Sequence, residues 1–260
     1  MERVQKVIAN NGYCSRRKAE EYIKQGKVKV NGEIVRELGT LVDGTNDLIE
    51  VNGYVLEKKQ EKVYILLNKP RGVVTSTSDD KKRKVVTDIV NIPTRVYPVG
   101  RLDYDTTGVL LLTNDGNLTN LLLHPSNNIE KVYVAKIKGI LTPGHRRTLE
   151  SGVIIDGKKT DRARVKIKKI DKKANTSIVE ITIHEGRNHQ VKNMFKALGY
   201  QVEKLRRDRV AFLTCDGMNT GEYRFLSIKE VKVLYNLVTN SKSEDLTSFF
   251  CEYIIAPKSG

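Results

Sequence analysis

Cysteine is scarce in this chain: Cys14, Cys215 and Cys251 are three isolated thiols in 260 residues. That excludes a disulfide framework, and no Cys-x-x-Cys pair offers a zinc site. His124, His145, His184 and His189 lack metal-ligand spacing with one another or with the cysteines, so no metal is expected. No apolar run approaches the roughly 20 residues of a membrane span. The opening Met1-Glu2-Arg3-Val4 has no signal-peptide apolar stretch. Glycine-rich phosphate loops are missing, and no cofactor is expected. Acidic residues are in deficit, 31 against 46 Lys and Arg, for a net charge of +15. With 39% hydrophobic and 30% charged residues, the chain can still bury a real core. These absences leave a cytoplasmic, metal-free, monomeric polyanion binder, with nucleic acid as the commonest cytosolic polyanion.

Residues 1–58 read as one small module. A short helical pattern (Val4, Val7, Ile8) ends at Asn10-Asn11-Gly12, and Ser15 offers an N-cap to a second helix carrying Ala19, Tyr22 and Ile23. Gly26 stops that helix, and Asn31-Gly32 between apolar alternations signals a hairpin. The run RVQKVIANNGYCSRRKAEEYIKQGKVKVNG resembles an S4 domain, a small RNA-binding module. Arg16, Arg17 and Lys18 open a helix whose first amides favour phosphate, and Lys27 follows among further lysines. Residues 1–60 carry 11 basic and 9 acidic residues, so clustering rather than excess points to RNA. A merely solvated face would show the same run.

Residues 57–63 are polar and without periodicity, and read as a linker. From residue 63 to 235 the pattern changes. Strand-like runs occur at 63–67, 132–137, 153–155, 165–170, 178–183 and 223–228, and helical ones at 118–123, 146–149 and 191–198. Strands outnumber helices without regular alternation, which predicts an α+β domain on a mostly antiparallel sheet. Residues 158–173 hold nine basic and two acidic residues, as an RNA-facing strand or a lysine-guarded edge strand would. Residues 236–260 form a Ser- and charge-rich extension ending in Phe249-Phe250-Cys251-Glu252-Tyr253-Ile254-Ile255, whose role nothing in the sequence explains.

The most informative stretch is GRLDYDTTGVLLLTNDG, residues 100–116. Arg101, Asp103 and Asp105 lie on a Gly-bounded loop ahead of the apolar run 109–113. From spacing alone, an aspartate there is as well explained as a turn residue. Upstream stands LLNKPRGV at 66–73, and downstream KVYVAKIKG at 131–139 and EGRNHQVKNMFKALGYQVEKLRR at 185–207. In this order the four motifs resemble the pseudouridine synthases, in the branch that modifies bacterial ribosomal RNA and carries an N-terminal S4 domain. The resemblance runs from about residue 2 to 235.

What it implies is an RNA isomerase whose substrate is ribosomal RNA, free or in a pre-ribosomal particle, and most closely the large-subunit RNA. Asp103 would be the catalytic aspartate, and Tyr133 would stack on the target uracil. Lys192, where many relatives have Arg, would pair with Asp103. Leu205 would pack against the target base, and Arg101 would enter the RNA beside it. Arg187 and His189 would line an RNA-facing loop running into a helix. Asp105 and Asp115 read as turn or loop residues, with Asp105 in a position to support Asp103. Two other readings are an inert S4-containing assembly or translation factor and an RNA N-glycosidase. An inert homologue need not keep Asp103, Tyr133 and Lys192 together, and a glycosidase would need a second catalytic carboxylate.

Overall fold

The computed structural model describes residues 1–56 and 60–239. Most of the expected extension, including the Phe249–Ile255 ending, lies outside the described residues, as do residues 57–59 of the expected linker.

The first module is a helix pair on a small sheet. Helix α1 (Val4–Asn10) and α2 (Arg16–Lys24) bury Val4, Val7, Ile8, Ala19 and Ile23 against Val28, Ile49 and Val51. Ser15 caps α2 by accepting the Lys18 amide at 3.2 Å. Strands β1 (Val28–Val30), β2 (Glu33–Val35), β3 (Ile49–Val51) and β4 (Tyr54–Val55) pair in the order β2-β1-β3-β4. The β1–β2 turn has Asn31 and Gly32 at φ 51° and 88°, the doubly positive geometry that Asn-Gly supplies at least strain.

The larger part is built on β5 (Tyr64–Lys69), β6 (Thr107–Thr113), α3 (Gly116–Leu123), β7 (Lys131–Lys138), α4 (Pro143–Ser151), β8 (Arg164–Asp171), β9 (Thr176–Ile183), α5 (Gln190–Ala197), β10 (Gln201–Val210), β11 (Tyr223–Phe225) and α6 (Ile228–Thr239). Its sheet runs β8-β9-β7-β10-β6-β5-β11, with short strands at Leu213–Thr214 and Tyr97–Pro98 attached to β10 and β6. Every pairing is antiparallel except β10 with β6. One face buries Leu67, Leu110, Ile137, Ile181 and the α5 residues Val191, Met194 and Phe195. The other buries Leu66, Leu111, Leu118, Leu122 and the α6 residues Val231, Leu234, Tyr235 and Val238. This is the α+β, mostly antiparallel class that strand content predicts.

Three expectations need correction. The run 223–228 is a strand only to Phe225, and α6 then starts at Ile228 and continues past 235, where the catalytic region was expected to end. Val231, Leu234, Tyr235 and Val238 follow helical spacing and close the second core. The end of the expected linker is strapped down rather than loose. The Val63 amide donates to Asn114 Oδ1 at 2.9 Å, and Thr113 Oγ1 donates to the Val63 carbonyl at 2.6 Å. Asp115 does sit in the turn between β6 and α3, and it does more there than turn the chain. It is 3% exposed, caps α3 through the amides of Asn117 and Leu118, and accepts the hydroxyls of Tyr64 and Tyr235.

Candidate active site

The loop between Gly100 and β6 is held where the one parallel pairing among the described strands begins. Arg206 faces Thr107 and Arg207 faces Gly108 across that junction. Gly108 has φ +104°, and a Cβ there would stand 2.2 Å from the Arg207 carbonyl oxygen. Only glycine permits that approach. A second constraint comes from below. Lys69, at the end of β5, is fully buried, and its ammonium donates to the carbonyls of Pro70 (3.1 Å), Asp103 (3.1 Å) and Thr106 (2.9 Å). Burial pushes it down to about 8, against the pull of Asp103 and Asp105, so it stays charged at neutral pH. Thr75 Oγ1 donates to the Leu102 carbonyl at 2.6 Å, and the Gly72 amide donates to that of Tyr104 at 2.8 Å. The loop's backbone is therefore fixed residue by residue, and the Asp103 side chain is left half-buried above it.

Helix α5 supplies the counter-charge. Lys192 Nζ lies 2.9 Å from Asp103 Oδ2 and 2.6 Å from Asp105 Oδ1. His189, the left-handed N-cap of α5 (φ 49°), brings Nδ1 to 3.2 Å from the same Asp103 oxygen. Burial works against the Lys192 charge, but the hydrogen bonds to Asp105 and Asp103 outweigh it and raise this ammonium. Asp105 moves the other way: burial raises it, and Lys192 more than offsets that. Asp105 is thus the second anchor of Lys192, a stronger role than the loop residue expected from sequence.

Asp103, Tyr133, Leu205, Arg101, Arg187 and His189 all line one small cavity of about 60 Å³. Tyr133 comes from the buried face of β7, and Leu205 from β10 on the neighbouring strand. Tyr133 OH accepts from Arg207 Nη1 at 3.4 Å, and Arg207 Nε donates to the Val109 carbonyl at 2.8 Å. Arg187 is tied back by Glu185 (2.9 Å) and by the carbonyls of Lys158 and Lys159. Among the described residues, the buried side-chain atom of this cavity without a hydrogen-bond partner is Thr106 Oγ1. Sequence reasoning missed Lys69, Thr106 and Arg207. The signal for the first was the Lys-Pro pair at 69–70, a polar interruption at the end of an apolar run.

Arg16, Arg17, Lys18 and Lys27 stand apart from this cavity, exposed on the first module. Lys18 pairs with Glu21 at 2.6 Å, and Lys18 and Lys27 lie over the Tyr22 ring at 5.4 and 6.0 Å. A groove of about 450 Å³ runs from Ser15 and Lys18 to Thr77, Ser78 and Arg95. The basic run at 158–173 falls largely on β8, the outer strand of the sheet, where Arg164 and Lys168 pair with Glu130 and Glu180.

A half-buried carboxylate between a cation and an aromatic wall, inside a basic protein, is equipment for acting on a polyanion. Comparison with known proteins assigns the class. Residues 63–197 match the RNA pseudouridylate synthase family and residues 2–49 the S4 domain, so the chain belongs to the RNA pseudouridylate synthases. It is 56% identical to ribosomal large subunit pseudouridine synthase B of Bacillus subtilis, over 94% of this chain and 99% of that one. It is 38% identical to the dual-specificity RNA pseudouridine synthase RluF of Escherichia coli, over 93% and 81%. Among solved structures, a crystal structure of a pseudouridylate synthase superposes with a TM-score of 0.65 at 32% identity, over 90% of this chain and all of that one.

Proposed function

We propose that this enzyme isomerises a specific uridine of large-subunit ribosomal RNA in the cytoplasm, with Asp103 as the catalytic carboxylate. The observation that carries the reading is the convergence of Asp103, His189, Tyr133 and Leu205, from four separate elements, on one small cavity, with Lys192 paired to the Asp103 carboxylate. Isomerisation breaks the N1–C1′ bond of uridine, turns the base, forms C5–C1′, and moves one proton from C5 to N1. Neither electrons nor phosphate are exchanged, so the side chains present suffice. The target nucleotide must leave the stack, at a cost of a few kcal/mol, before C1′ is reachable. Tyr133 offers the extruded uracil an aromatic face and Leu205 an apolar one. Arg101, exposed at the rim, fills the place the base vacates. The Asp103 carboxylate acts on the sugar as nucleophile or base, with Lys192 paired to it. Arg187 and His189 border the entry, while Arg16, Arg17, Lys18 and Lys27 take phosphates at a distance.

The 56% identity to a large-subunit synthase supports the choice of RNA. Asp103→Asn keeps the shape of the site and removes the ionisable oxygen. It should abolish pseudouridine formation in a single-turnover assay on large-subunit RNA while leaving RNA affinity nearly unchanged. Activity within about tenfold of wild type would exclude Asp103, because losing an essential nucleophile or base costs far more.

A further inference from the structure

Beside the Asp103 cavity lies a second one, more enclosed, of about 120 Å³. A water needs roughly 10–15 Å³ by this kind of measure, so the space holds far more than one. Arg101, Lys131, Arg187 and Arg207 line it, with an apolar wall that includes Leu122 and Leu213, and among the described residues no carboxylate lines it. Two of these cations, Arg207 and Lys131, are withdrawn from solvent. Arg207 is 4% exposed and spends two N–H groups, on the Val109 carbonyl and the Tyr133 hydroxyl. Lys131 donates to the carbonyls of Ile129 (3.0 Å) and His184 (2.9 Å), which leaves one ammonium donor over. Burial and then the Arg207 charge push Lys131 down to about 8. Buried cations are normally paired, and two that repel each other across an empty space are not a packing solution. The arrangement calls for a ligand that brings acceptors.

We propose that this cavity is a second base pocket, which takes an oxo base, guanine or uracil, from a nucleotide of the RNA other than the target uridine. The inference rests on the RNA substrate assigned above. An RNA chain continues in both directions from each phosphate, so its backbone cannot enter an enclosed cavity, whereas a base can. The base lies against Leu122 and Leu213, and its carbonyl edge meets the donors of Arg207 and Lys131. Its phosphate stays at the rim with Arg101 and Arg187. A donor-only inner wall selects by edge. Guanine presents O6 and N7 as two acceptors to a guanidinium, and uracil presents O4, while adenine and cytosine in the same orientation place an amino group where those oxygens lie and so offer the donors one acceptor fewer. Because Tyr133 and Arg101 line both cavities, a base seated here steadies the wall of the Asp103 site.

The chain contains no tryptophan, so Leu123→Trp at the half-exposed rim gives a sole indole reporter. Titrations with GMP, UMP, AMP, CMP and inorganic phosphate then read the pocket directly. GMP and UMP should change the emission saturably, with AMP and CMP at least about tenfold weaker and phosphate silent, as an edge-specific bidentate contact requires. Adding Asp103→Asn should leave the response intact, and Val210→Phe, which fills the cavity from its partly buried wall, should remove it. Lys131→Met, which keeps the volume, should erase the preference between oxo and amino bases. Equal responses to all four nucleotides would overturn the proposal, as would competition by phosphate alone or loss of the signal with Asp103→Asn. If the RNA reading itself were wrong, all four would be silent and pseudouridine formation absent. If only the pocket were wrong, pseudouridine formation would persist without base selectivity.

Discussion

Replacing Lys69 by Met is the sharpest test of how the Asp103 loop is held. The substitution keeps the length of the side chain and removes three donors from a fully buried site. All three carbonyls lose their side-chain donor, but that of Asp103 retains the Thr106 amide at 3.1 Å, so the cost falls on those of Pro70 and Thr106. An unmade buried hydrogen bond costs about 1–3 kcal/mol per group, partly offset because no ammonium is desolvated, for a net loss of about 2–4 kcal/mol. For a domain of this size that corresponds to a fall of roughly 5–15 °C in melting temperature. The rate should suffer beyond the stability loss, because the backbone of Asp103 is one of the anchored points. Alkali offers an independent check. Lys69 titrates at about 8 in the fold, so from there up to the ordinary lysine value near 10.5 the unfolded chain holds a proton that the folded one has released. This group's contribution to stability therefore rises with pH across that window. The neutral amine has one donor fewer for its three carbonyls, so the rate should fall there. Thermal unfolding and single-turnover rates measured from pH 7 to 10 would show the two moving in opposite directions. A Lys69→Met variant with melting temperature within about 2 °C and rate within about twofold of wild type would refute the reasoning.

Lys192→Met leaves the carboxylates of Asp103 and Asp105 facing each other with only His189 beside them. The single-turnover rate at neutral pH should fall clearly, while Lys192→Arg, which keeps the charge, lowers it much less. An unchanged rate would make Lys192 a phosphate contact only. Gly108→Ala drives a methyl into the Arg207 carbonyl at the parallel junction. It should lower the melting temperature and the rate together, whereas the same change at the open Gly157 turn should spare the rate. Alanine at Arg16, Arg17 and Lys18 should flatten the salt dependence of RNA binding by about 0.7–0.9 in log–log slope per lost phosphate contact. Arg16 and Arg17 should carry most of it, since Lys18 is engaged by Glu21; an unchanged slope in a filter-binding titration would show a solvated face.

Local geometry was the legible part of this sequence. The Asn31-Gly32 hairpin, the Ser15 cap and the helix stop at Gly26 each depend on a residue with a narrow conformational role, and each is where the sequence puts it. The antiparallel strands were legible where alternation is regular, as in Thr176–Ile183. Strand Gln201–Val210 was not. Its pairing with β7 has two register shifts, so its buried residues fall at Leu205 and Arg207 while Val202, Asp208, Arg209 and Val210 are half-buried, breaking the period of two. A buried arginine in that strand also reads as solvent-facing on composition. The site residues Asp103, Tyr133 and Lys192 were legible only through ordered motifs, because they meet across strands and helices far apart in sequence. Their bridging through Asp105, and the support from Lys69, needed the third dimension.

The two lysines facing the Asp103 loop divide its control between backbone and charge. Lys69 touches only carbonyl oxygens, so it fixes where the loop lies and contributes to the carboxylates only at a distance. Lys192 pairs with carboxylate oxygens, so it holds those two side chains together and leaves the backbone alone. A cation that did both would have to be buried and yet reach a half-open side chain, and burial would weaken its own charge. Separating the tasks lets the buried amine be tuned by desolvation while the outer one remains firmly protonated. It also explains how a carboxylate survives in a protein that attracts phosphates. Lys192 is shared by two acids and has little reason to leave them for an arriving phosphodiester, whereas the unshared Arg101 at the rim is free to meet the RNA.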